Sequence, residues 1–409
     1  MSAKPRFVVI GGGQAAGRAV ETMRAVGFRG AITLVAEEPH LPYERPPLSK
    51  RVLTGDDPPE KPLIHDQGFY QDRDISLRLG VRAIHIDRQG RAVALADGAS
   101  LPYDGLLIAT GARARLLPVP GADLDGVCYL RTLQDSLEIQ RRLRPDARLV
   151  IVGGGYIGLE VAASARKRGC QVTVIELMDH VMARVVAPEI GRAFLHYHEA
   201  AKVEFRLGVE VQGFAGDAAV TAVLCADGAE VPADLVVVGI GVDPATDLAA
   251  KAGLEVDDGI VVDAFGRTSD PSIYAAGDVT NHPNPLLGRR VRLESWQNAQ
   301  NQAMRVARNM CAEQEPYQEI PWFWSDQYDL NLQMVGLPER WDELVLRGDV
   351  GQRKFTAFYV EDGRLVAANT VNNGRDIRPC RQLIAQGRTI DPKVLADPGY
   401  PLRDLLRRT

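Results

Sequence analysis

The residues with the clearest chemical potential are the glycines of two short runs, one near the N-terminus and one in mid-chain. Residues 153–158 are GGGYIG, which fits G-x-G-x-x-G, and residues 11–16 are GGGQAA, with alanine at the third glycine position. The first glycine of this pattern permits a tight turn, the second lets the backbone approach a pyrophosphate, and the third lets a helix pack close to a strand. N–H groups at the start of that helix favour an anion. Each run therefore predicts a phosphate-binding turn.

Both runs lie between the elements of a βαβ unit. The later run follows an apolar segment at 149–152, and a helical pattern to about Arg168 precedes a strand that ends on Glu176. The earlier run follows residues 7–10 and leads through a helix and a strand to Glu37. A carboxylate there would accept hydrogen bonds from a ribose 2′-OH, and no Arg or Lys directly follows Glu176, which favours NAD over NADP. Two such units predict that one chain binds two dinucleotides.

Other strand ends could lie beside these ligands, because open parallel sheets bind ligands at their carboxyl edge. Residues 106–109 end in Thr110-Gly111, residues 235–238 open into a Gly-Ile-Gly turn, and Asp278 follows a glycine. Asp278 would contact a ligand or merely cap a helix. The proline-rich residues 41–50 either aim Arg45 or Lys50 at a site or form a rigid surface loop, and residue chemistry alone does not decide.

Composition excludes several function classes. Charged residues make up 25% and apolar residues 45% of the 409-residue chain, as in ordinary globular proteins. The net charge of −5 gives no support for nucleic acid as a partner. No apolar segment approaches the roughly 20 residues that span a bilayer, and no signal peptide is evident. We therefore expect no membrane association and, by default, a cytoplasmic location.

The cysteines and histidines predict no metal site. The five cysteines are widely spaced and form no C-x-x-C pair, which is typical of isolated thiols in a reducing compartment. His196 and His198 are two residues apart on a predicted helix and so point to different faces. The first hundred residues contain no cysteine, which argues against a disulfide reductase, since that chemistry needs a redox-active pair of cysteines beside its cofactor. An NADH oxidase normally uses a reactive cysteine as well, so this activity is kept only as an alternative side reaction with oxygen.

Several motifs occur in an order that resembles a known family. They are residues 46–50 (PPLSK), 109–111 (ATG), 153–160 (GGGYIGLE), 238–242 (VGIGV), 274–278 (YAAGD) and 322–327 (WFWSDQ). Across essentially its whole length the chain resembles the flavoprotein ferredoxin reductase components of bacterial aromatic-ring-hydroxylating dioxygenases, the biphenyl dioxygenase reductase and putidaredoxin reductase family.

The resemblance implies an α/β, glutathione-reductase-like fold with two Rossmann-type dinucleotide-binding domains and a C-terminal α+β domain. The expected boundaries are 1–112 and 245–316 for a split FAD-binding domain, 113–244 for the NAD-binding domain and 317–409 for the C-terminal domain. The order of predicted elements agrees, because short strands and late helices follow residue 316.

The resemblance also implies an activity. We expect an NADH-dependent FAD flavoprotein that passes electrons one at a time to a two-iron two-sulfur ferredoxin, of Rieske or plant type, serving a terminal oxygenase. Alternatives are electron supply to a cytochrome P450 through a ferredoxin, or a nucleotide-binding redox sensor. The ferredoxin would dock near Arg375, Arg378 and Arg381, since ferredoxins are usually acidic, unless these arginines only form a solvated charged face.

Site residues carry over by matching motif. FAD is implied to contact Gly11, Gly13, Ala15, Ala16, Glu37, Arg45, Lys50, Val81, Ala109, Thr110, Gly111, Arg131, Gly277, Asp278, Trp296 and Trp322. NAD is implied to contact Gly153, Gly155, Tyr156, Ile157, Gly158, Glu160, Glu176, Gly239 and Gly241. Glu37 would hold the adenosine ribose, Asp278 the ribitol, and Trp296 would act through its backbone. Lys50 and Glu160 are the implied catalytic pair, which would tune the flavin and hold the nicotinamide carboxamide. Trp322 and Trp324 would pack beside the flavin or form an ordinary core cluster.

Overall fold

The structure, a computed structural model, describes residues 4–407, which divide into two compact units. The first unit comprises the chain up to Arg45 together with Glu60–Arg113 and Asp243–Pro321. The second comprises Pro46–Pro59, Ala114–Val242 and the chain from Trp322 onward. Each unit is therefore built from segments that are far apart in the sequence. The expected domain boundaries stay predictions.

The strands are numbered in chain order. They are β1 Arg6–Ile10, β2 Ala31–Ala36, β3 Ile75–Leu79, β4 Ala83–Asp87, β5 Ala92–Leu95, β6 Ser100–Pro102, β7 Gly105–Ile108, β8 Ala112–Ala114, β9 Val127–Tyr129, β10 Arg148–Val152, β11 Gln171–Glu176, β12 Val203–Leu207, β13 Val211–Gly216, β14 Val220–Cys225, β15 Glu230–Pro232, β16 Leu235–Val238, β17 Val242–Pro244, β18 Ile260–Val261, β19 Ile273–Ala275, β20 Thr280–Asn284, β21 Arg289–Val291, β22 Trp322–Gln327, β23 Leu330–Gly336, β24 Glu343–Asp349, β25 Lys354–Glu361 and β26 Arg364–Val371.

The helices follow the same order. They are α1 Gln14–Ala25, α2 Arg51–Thr54, α3 Gln67–Asp72, α4 Leu133–Arg142, α5 Tyr156–Lys167, α6 Pro188–Ala200, α7 Asp247–Lys251, α8 Trp296–Met310, α9 Ile377–Gln386, α10 Pro392–Ala396 and α11 Leu402–Leu405, with 3-10 turns at Pro46–Ser49 and Gly374–Asp376. Within residues 4–407 no helix combines the length and hydropathy that a membrane span requires.

The first unit is built on a parallel sheet with the strand order β19-β7-β1-β2-β3. Its central strands are apolar on both faces because both faces are covered. Val9 points toward α1 and α8, whose Ala19 and Val306 are fully buried against it. Ile10 points the other way, toward the antiparallel β4-β5-β6 meander and its buried Val93. The first glycine run leaves the carboxyl end of β1 in this sheet.

The second unit repeats this plan with the parallel order β12-β11-β10-β16-β9. Ile151 packs toward Val161 of α5, and Val152 packs toward the β13-β14-β15 meander and its buried Val223. The second glycine run leaves the carboxyl end of β10. The two βαβ units predicted from sequence are thus present in the structure, one in each unit.

The remainder of the second unit is an antiparallel sheet with the order β22-β23-β26-β25-β24. Residues 322–324 are three consecutive aromatic residues, Trp-Phe-Trp, and the structure places them in a strand. These residues begin the edge strand β22, in which Trp322 pairs with Val335 of β23. Side chains along a strand point alternately to opposite faces, so Trp322 and Trp324 share one face and Phe323 lies on the other.

Candidate functional site

The first glycine loop lies between β1 and α1. Gly11 has φ +144°, and a Cβ there would lie 2.2 Å from the Ala109 carbonyl oxygen, so the loop passes close to the end of β7. A Cβ on Gly13 would meet no atom of the described chain within 4 Å, and the space in front of α1 is therefore open. Thr110 stays at this edge because its hydroxyl donates to the Ala245 carbonyl oxygen, 2.9 Å away.

Residues from the end of the first unit reach the same helix start. A Cβ on Gly277, whose φ is +87°, would lie 3.1 Å from the Ala15 Cβ. The Gln14 amide donates to the Trp296 carbonyl oxygen at 3.4 Å, a backbone contact at the start of α8. The structure thus brings Gly277 and Trp296 to the start of α1, although they lie 262 and 281 residues beyond Ala15 in the chain.

Arg45 is held by acidic and phenolic oxygens. It forms a 3.1 Å ion pair with Glu38 and donates to the Tyr43 hydroxyl at 3.2 Å. Burial by itself lowers the pKa of Arg45, but the neighbouring oxygens, with a contribution from Asp278, raise it on balance. Arg45 therefore stays charged and lies in the neighbourhood of Asp278. Glu38 directly follows Glu37 but belongs to none of the motifs, so it was not predicted as a site residue.

Glu37 projects toward solvent at the end of β2. Its side chain is 64% exposed and lies 3.8 Å from Arg82. The adjacent backbone is fixed by Val81, whose N–H donates to the Ala36 carbonyl oxygen at 3.0 Å. A Cβ on Gly12 would lie 2.9 Å from the Ala36 Cβ, so the Ala36 side chain packs against the first glycine loop at Gly12.

The second glycine loop lies between β10 and α5 and is closed more tightly. Gly153 has φ +107°, and a Cβ there would lie 2.4 Å from the Gly239 carbonyl oxygen. A Cβ on Gly158 would lie 2.1 Å from the Gly153 carbonyl oxygen, whereas a Cβ on Gly155 would meet nothing within 4 Å among the residues described. The loop therefore needs glycine at its first and third positions for packing, and its second position faces open space.

Glu176 turns its carboxylate onto this loop. One oxygen accepts the Gly154 N–H at 2.6 Å and the other accepts the Met178 N–H at 2.8 Å. Two exposed guanidinium groups that the sequence analysis missed lie beside Gly241. The Arg115 backbone N–H donates to the Gly241 carbonyl oxygen at 3.0 Å, and its guanidinium lies 3.9 Å from the position of a Cβ on Gly241. The Arg184 guanidinium donates to the neighbouring Ile240 oxygen at 3.4 Å. They add positive charge where a pyrophosphate would be attracted.

Tyr156 and Ile157 occupy the first turn of α5 with different orientations. The Tyr156 hydroxyl donates to the Met334 sulfur at 2.8 Å, and its ring packs edge-on against Phe323. Burial raises the pKa of Tyr156 well above its usual value. Tyr156 therefore offers a ligand only its backbone N–H, whereas the Ile157 side chain is exposed.

The predicted pair, Lys50 and Glu160, meets in the second unit. Lys50 Nζ lies 3.0 Å from Glu160 Oε1, and only 3% of Glu160 is exposed. Two serine hydroxyls complete the site. Ser49 donates to Oε2 at 2.5 Å and Ser325 donates to Oε1 at 2.6 Å. Lys50, Ser49 and Ser325 thus direct three hydrogen-bond donors at one buried carboxylate, which fixes the orientation of both of its oxygens.

Backbone carbonyls fix the loop that carries Lys50. The Ser136 hydroxyl of α4 donates to the Leu48 carbonyl oxygen and the Ser164 hydroxyl of α5 donates to the Ser49 carbonyl oxygen, both at 2.7 Å. Leu48 and Ser49 are also buried. The segment is therefore packed within the second unit and is not a solvated surface loop, and the ligand that Lys50 would contact stays a prediction.

The remaining predicted residues of the second unit are Arg131 and the two tryptophans. Arg131 precedes Thr132, the N-cap of α4, and its backbone N–H donates to Asp135 at 3.0 Å. The Trp322 and Trp324 rings stack with centroids 5.2 Å apart, and Lys50 Nζ lies 6.0 Å from the centre of the Trp324 ring. The tryptophan pair therefore lies beside the Lys50–Glu160 site.

The glycine loops fit pyrophosphate groups. Helices α1 and α5 begin after Gly13 and Gly155, and in the described residues neither helix has a side-chain cap. By contrast, Thr132 caps α4 and Ser295 caps α8. The first-turn N–H groups of α1 and α5 are thus left for an anionic ligand, which a dinucleotide supplies.

A thiol relay has no place in this arrangement. All five cysteines lie in the described chain and are free. Burial raises the pKa of Cys128 and Cys311 to about 11 and raises the pKa of Cys170, Cys225 and Cys380 as well. These thiols stay protonated at neutral pH and are poor nucleophiles. Among residues 4–407 no cluster of three or more potential ligands could hold a metal.

Comparisons with known proteins agree with this geometry. Residues 5–303 match the family model described as pyridine nucleotide-disulphide oxidoreductase, and residues 322–406 match the one described as reductase C-terminal. The ferredoxin–NAD(+) reductase component of the anthranilate 1,2-dioxygenase system of Burkholderia cepacia is 46% identical over 411 residues, which cover 99% of this chain and 100% of the relative. Putidaredoxin reductase of Pseudomonas putida is 40% identical over 412 residues, covering 99% and 98%.

A solved structure gives the same result. The chain matches a chain of the crystal structure of the covalent putidaredoxin reductase–putidaredoxin complex with a TM-score of 0.96 and 40% identity, covering 99% of both chains. The predicted fold class is therefore confirmed, and so is the resemblance drawn from the motifs. The chain belongs to the pyridine nucleotide-disulphide oxidoreductase family and, within it, to the flavoprotein ferredoxin reductases.

Proposed function

We propose that the chain is an NADH-dependent FAD flavoprotein that passes electrons one at a time to a two-iron two-sulfur ferredoxin. The ferredoxin would serve a terminal oxygenase of the aromatic-ring dioxygenase type. The observation that carries the proposal is the presence of two glycine loops before uncapped helices, one in each unit, without a thiol relay. The name of the relative from Burkholderia cepacia supports the dioxygenase context.

When bound, FAD would accept a hydride from NADH and release the two electrons singly, which is the cofactor's own chemistry. The protein's contribution is to position the nucleotides and fix the local charge. The first loop would hold the pyrophosphate of FAD and the second that of NADH, with Glu176 on the NADH ribose. Glu176 already accepts the Gly154 N–H, so its carboxylate is fixed beside the loop.

Lys50 and Glu160 would hold the nicotinamide carboxamide. Lys50 donates to Glu160 at 3.0 Å and to the Pro46 carbonyl oxygen at 3.3 Å, which leaves its third N–H for an amide oxygen. Glu160 keeps that lysine in place and charged. The pair is thus a positioning and electrostatic device, which is what hydride transfer between two rings requires.

A second destination for the electrons, a cytochrome P450, also has specific support. Putidaredoxin reductase is among the relatives, and the ferredoxin reductase for the CYP199A2 system of Rhodopseudomonas palustris matches with a TM-score of 0.95 and 41% identity. The same reductase chemistry would serve either oxygenase. The ferredoxin partner, rather than the reductase, would decide between them.

An anaerobic titration tests the proposal. The purified protein should be yellow with one FAD, NADH should bleach it at much lower concentration than NADPH, and a two-iron two-sulfur ferredoxin should restore the colour. Dioxygenase-type and P450-type ferredoxins, compared at equal concentration, identify the destination. A colourless protein that does not take up FAD, or a reduced flavin that no ferredoxin of either type reoxidises, would refute the proposal.

A further inference from the structure

A row of hydrogen bonds leads from Glu160 to the surface of the second unit. The Ser325 hydroxyl donates to Glu160 at 2.6 Å, and Gln327 Nε2 donates to the Ser325 oxygen at 3.0 Å. His198 Nε2 lies 2.9 Å from Gln327 Oε1, and His198 Nδ1 lies 3.2 Å from the Tyr328 hydroxyl. We call these five residues the His198 chain. The roles proposed above for Lys50 and Glu160 make no use of its outer members.

The middle of the His198 chain is excluded from water. His198 and Gln327 are 0% exposed and Ser325 is 1% exposed, whereas Tyr328 at the outer end is 40% exposed. Burying polar groups is costly unless each finds a partner, and a fully paired row in a low-dielectric interior holds its members in fixed orientations. The surrounding charged groups are Lys50 at the Glu160 end and Arg166, which acts on Tyr328 at the other end.

The periodicity of β22 creates this row. Phe323, Ser325 and Gln327 alternate with the tryptophans and so share one face of the strand. Phe323 contacts Tyr156 and Ser325 contacts Glu160, which is one turn further along α5. Gln327 then reaches His198 on α6. One strand face therefore connects two helices of the nucleotide-binding part of the second unit.

The hydrogen bonds have one consistent direction. Gln327 turns its oxygen to His198 and its nitrogen to Ser325, so His198 must donate from Nε2 and accept from Tyr328 at Nδ1. That arrangement needs a neutral imidazole. Burial lowers the pKa of His198 to about 4, so the ring is neutral at pH 7. Because Ser325 accepts from Gln327, its own proton is left to point at Glu160.

We propose that His198 is a positioning residue for the Lys50–Glu160 site. Its Nε2–H orients the Gln327 amide, the amide orients the Ser325 hydroxyl, and the hydroxyl keeps a donor on the Glu160 carboxylate. Without that donor the Glu160 carboxylate loses a hydrogen bond of the kind that favours the charged form of a carboxyl group, and Lys50 is held less firmly. The kinetic part of this inference rests on the proposed function, but the direction of the row does not.

NMR of the protein with 15N-labelled histidine tests the direction without any turnover. The His198 ring should be neutral with the proton on Nε2 from pH 6 to pH 8, and its signals should move in Ser325→Ala. The signals should be assigned by their loss in His198→Gln. An Nδ1–H tautomer, a charged ring at pH 7, or signals unaffected by Ser325→Ala would each overturn the proposal.

Anaerobic stopped-flow reduction by NADH, followed at the flavin, tests the consequence. In His198→Leu the limiting rate at pH 7 should fall about fivefold, as expected for one lost buried hydrogen bond, with little change in the NADH concentration at half-saturation. The low-pH limb of the rate profile should move to higher pH. His198→Gln keeps an N–H donor for Gln327 and should stay within about twofold of the wild type.

His196→Leu is the matched control, because His196 lies on the same helix with its side chain 73% exposed. It should leave rate and pH profile unchanged. A folded, FAD-containing His198→Leu with the wild-type pH profile, or a His198→Gln as slow as His198→Leu, would overturn the inference. Should His198→Leu fail to fold, Ser325→Ala must show the same shift. A wild type that NADH does not reduce would instead refute the proposed function and leave the NMR result standing.

Discussion

The two glycine loops share a fingerprint but place different demands on their residues. In the second unit a methyl group on Gly158 would lie 2.1 Å from the Gly153 carbonyl oxygen. In the first unit the matching position is Ala16, whose methyl group is fully buried without displacing the loop. The third glycine is therefore a packing requirement of one helix and not of the other. The glycine pattern specifies the turn in both units. The distance between the helix and the loop determines whether the third position must be glycine.

The acidic residues differ as well. The bonds from Gly11 N–H to the Val35 oxygen and from Gly153 N–H to the Ile175 oxygen are equivalent, both at 2.8 Å. The next residue is Ala36 in one unit and Glu176 in the other, so Glu37 lies one position beyond its apparent counterpart. Because strand side chains alternate, one position changes the direction of the carboxylate. Glu176 lies against its loop, and Glu37 extends into solvent.

The substitution with the largest expected effect is at the third glycine position of the two loops, which is Gly158 in the second unit and Ala16 in the first. Gly158→Ala should raise the NADH concentration needed for flavin reduction about a hundredfold, since relieving the overlap costs about 3 kcal/mol, while FAD content stays normal. Ala16→Gly should change FAD retention by no more than about twofold. Steady-state kinetics and flavin absorbance measure both. A Gly158→Ala enzyme with normal NADH affinity would remove the packing distinction between the loops.

The next contrast concerns the carboxylates. Glu176→Gln should weaken NADH binding about thirtyfold, because it removes charge-assisted hydrogen bonds worth about 2 kcal/mol. Glu37→Gln should weaken FAD binding only about twofold, since the side chain is mostly in water. Isothermal titration with NAD and fluorescence titration of the apoprotein with FAD measure the two affinities. Loss of FAD from Glu37→Gln would show that register is a poor guide to the role of Glu37.

Each unit also contains a buried histidine, His282 in the first and His198 in the second. Burial lowers the pKa of both to about 4 from the ordinary 6.5. The unfolded chain takes up a proton below pH 6.5 and the folded chain does not until about pH 4, so stability is full above pH 6.5 and falls as the pH drops toward 4. At pH 5.5 each histidine should lower the free energy of unfolding by roughly 1.4 kcal/mol relative to neutral pH, which is a tenfold change in the unfolding constant.

Urea unfolding of the wild type, His282→Gln and His198→Gln at pH 7.5 and 5.5 measures how much each buried histidine contributes to the loss of unfolding free energy on acidification. Each substitution should reduce the loss of stability on acidification. The exposed His85 and His196 provide matched control substitutions to glutamine in the same units. An unchanged pH dependence in either buried variant would show that the corresponding unit does not bury its imidazole in neutral form.

The smallest effect concerns the outer surface of the second unit. Arg375 is 76% exposed and Arg378 is exposed, whereas Arg381 is partly buried. Reversing the charge of Arg375 and Arg378 together should slow ferredoxin reduction about threefold at low ionic strength and not at high salt, because exposed charges are screened. Arg29→Glu, on the exposed surface of the first unit, is the control. If Arg29→Glu slowed ferredoxin reduction as much as the double charge reversal, Arg375 and Arg378 would be solvated surface charges with no role in docking.

The sequence predicted the features that depend on neighbouring residues. The placement of both glycine runs between a buried strand and a helix follows from local periodicity and glycine positions. Register was harder, because the turn between helix and strand has five residues in the first βαβ unit (26–30) and three in the second (168–170). Ala36 then occupies the position that matches Glu176, and Glu37 lies one residue beyond it. The Ser49 and Ser325 contacts with Glu160 span 111 and 165 residues, so no local pattern contains them. His198 carried one usable clue, its place on the apolar side of an amphipathic helix.

The way in which residues 46–59 are held has an evolutionary consequence. Ser136 and Ser164 recognise main-chain oxygens of this segment rather than side chains. Most of its residues can therefore vary between species, or be exchanged by recombination with a homologous gene, provided that the path of the main chain, Ser49 and Lys50 are retained. Chimeras that import this segment from a relative should still assemble, whereas replacing both serines by valine should release it even when every transferred residue is native.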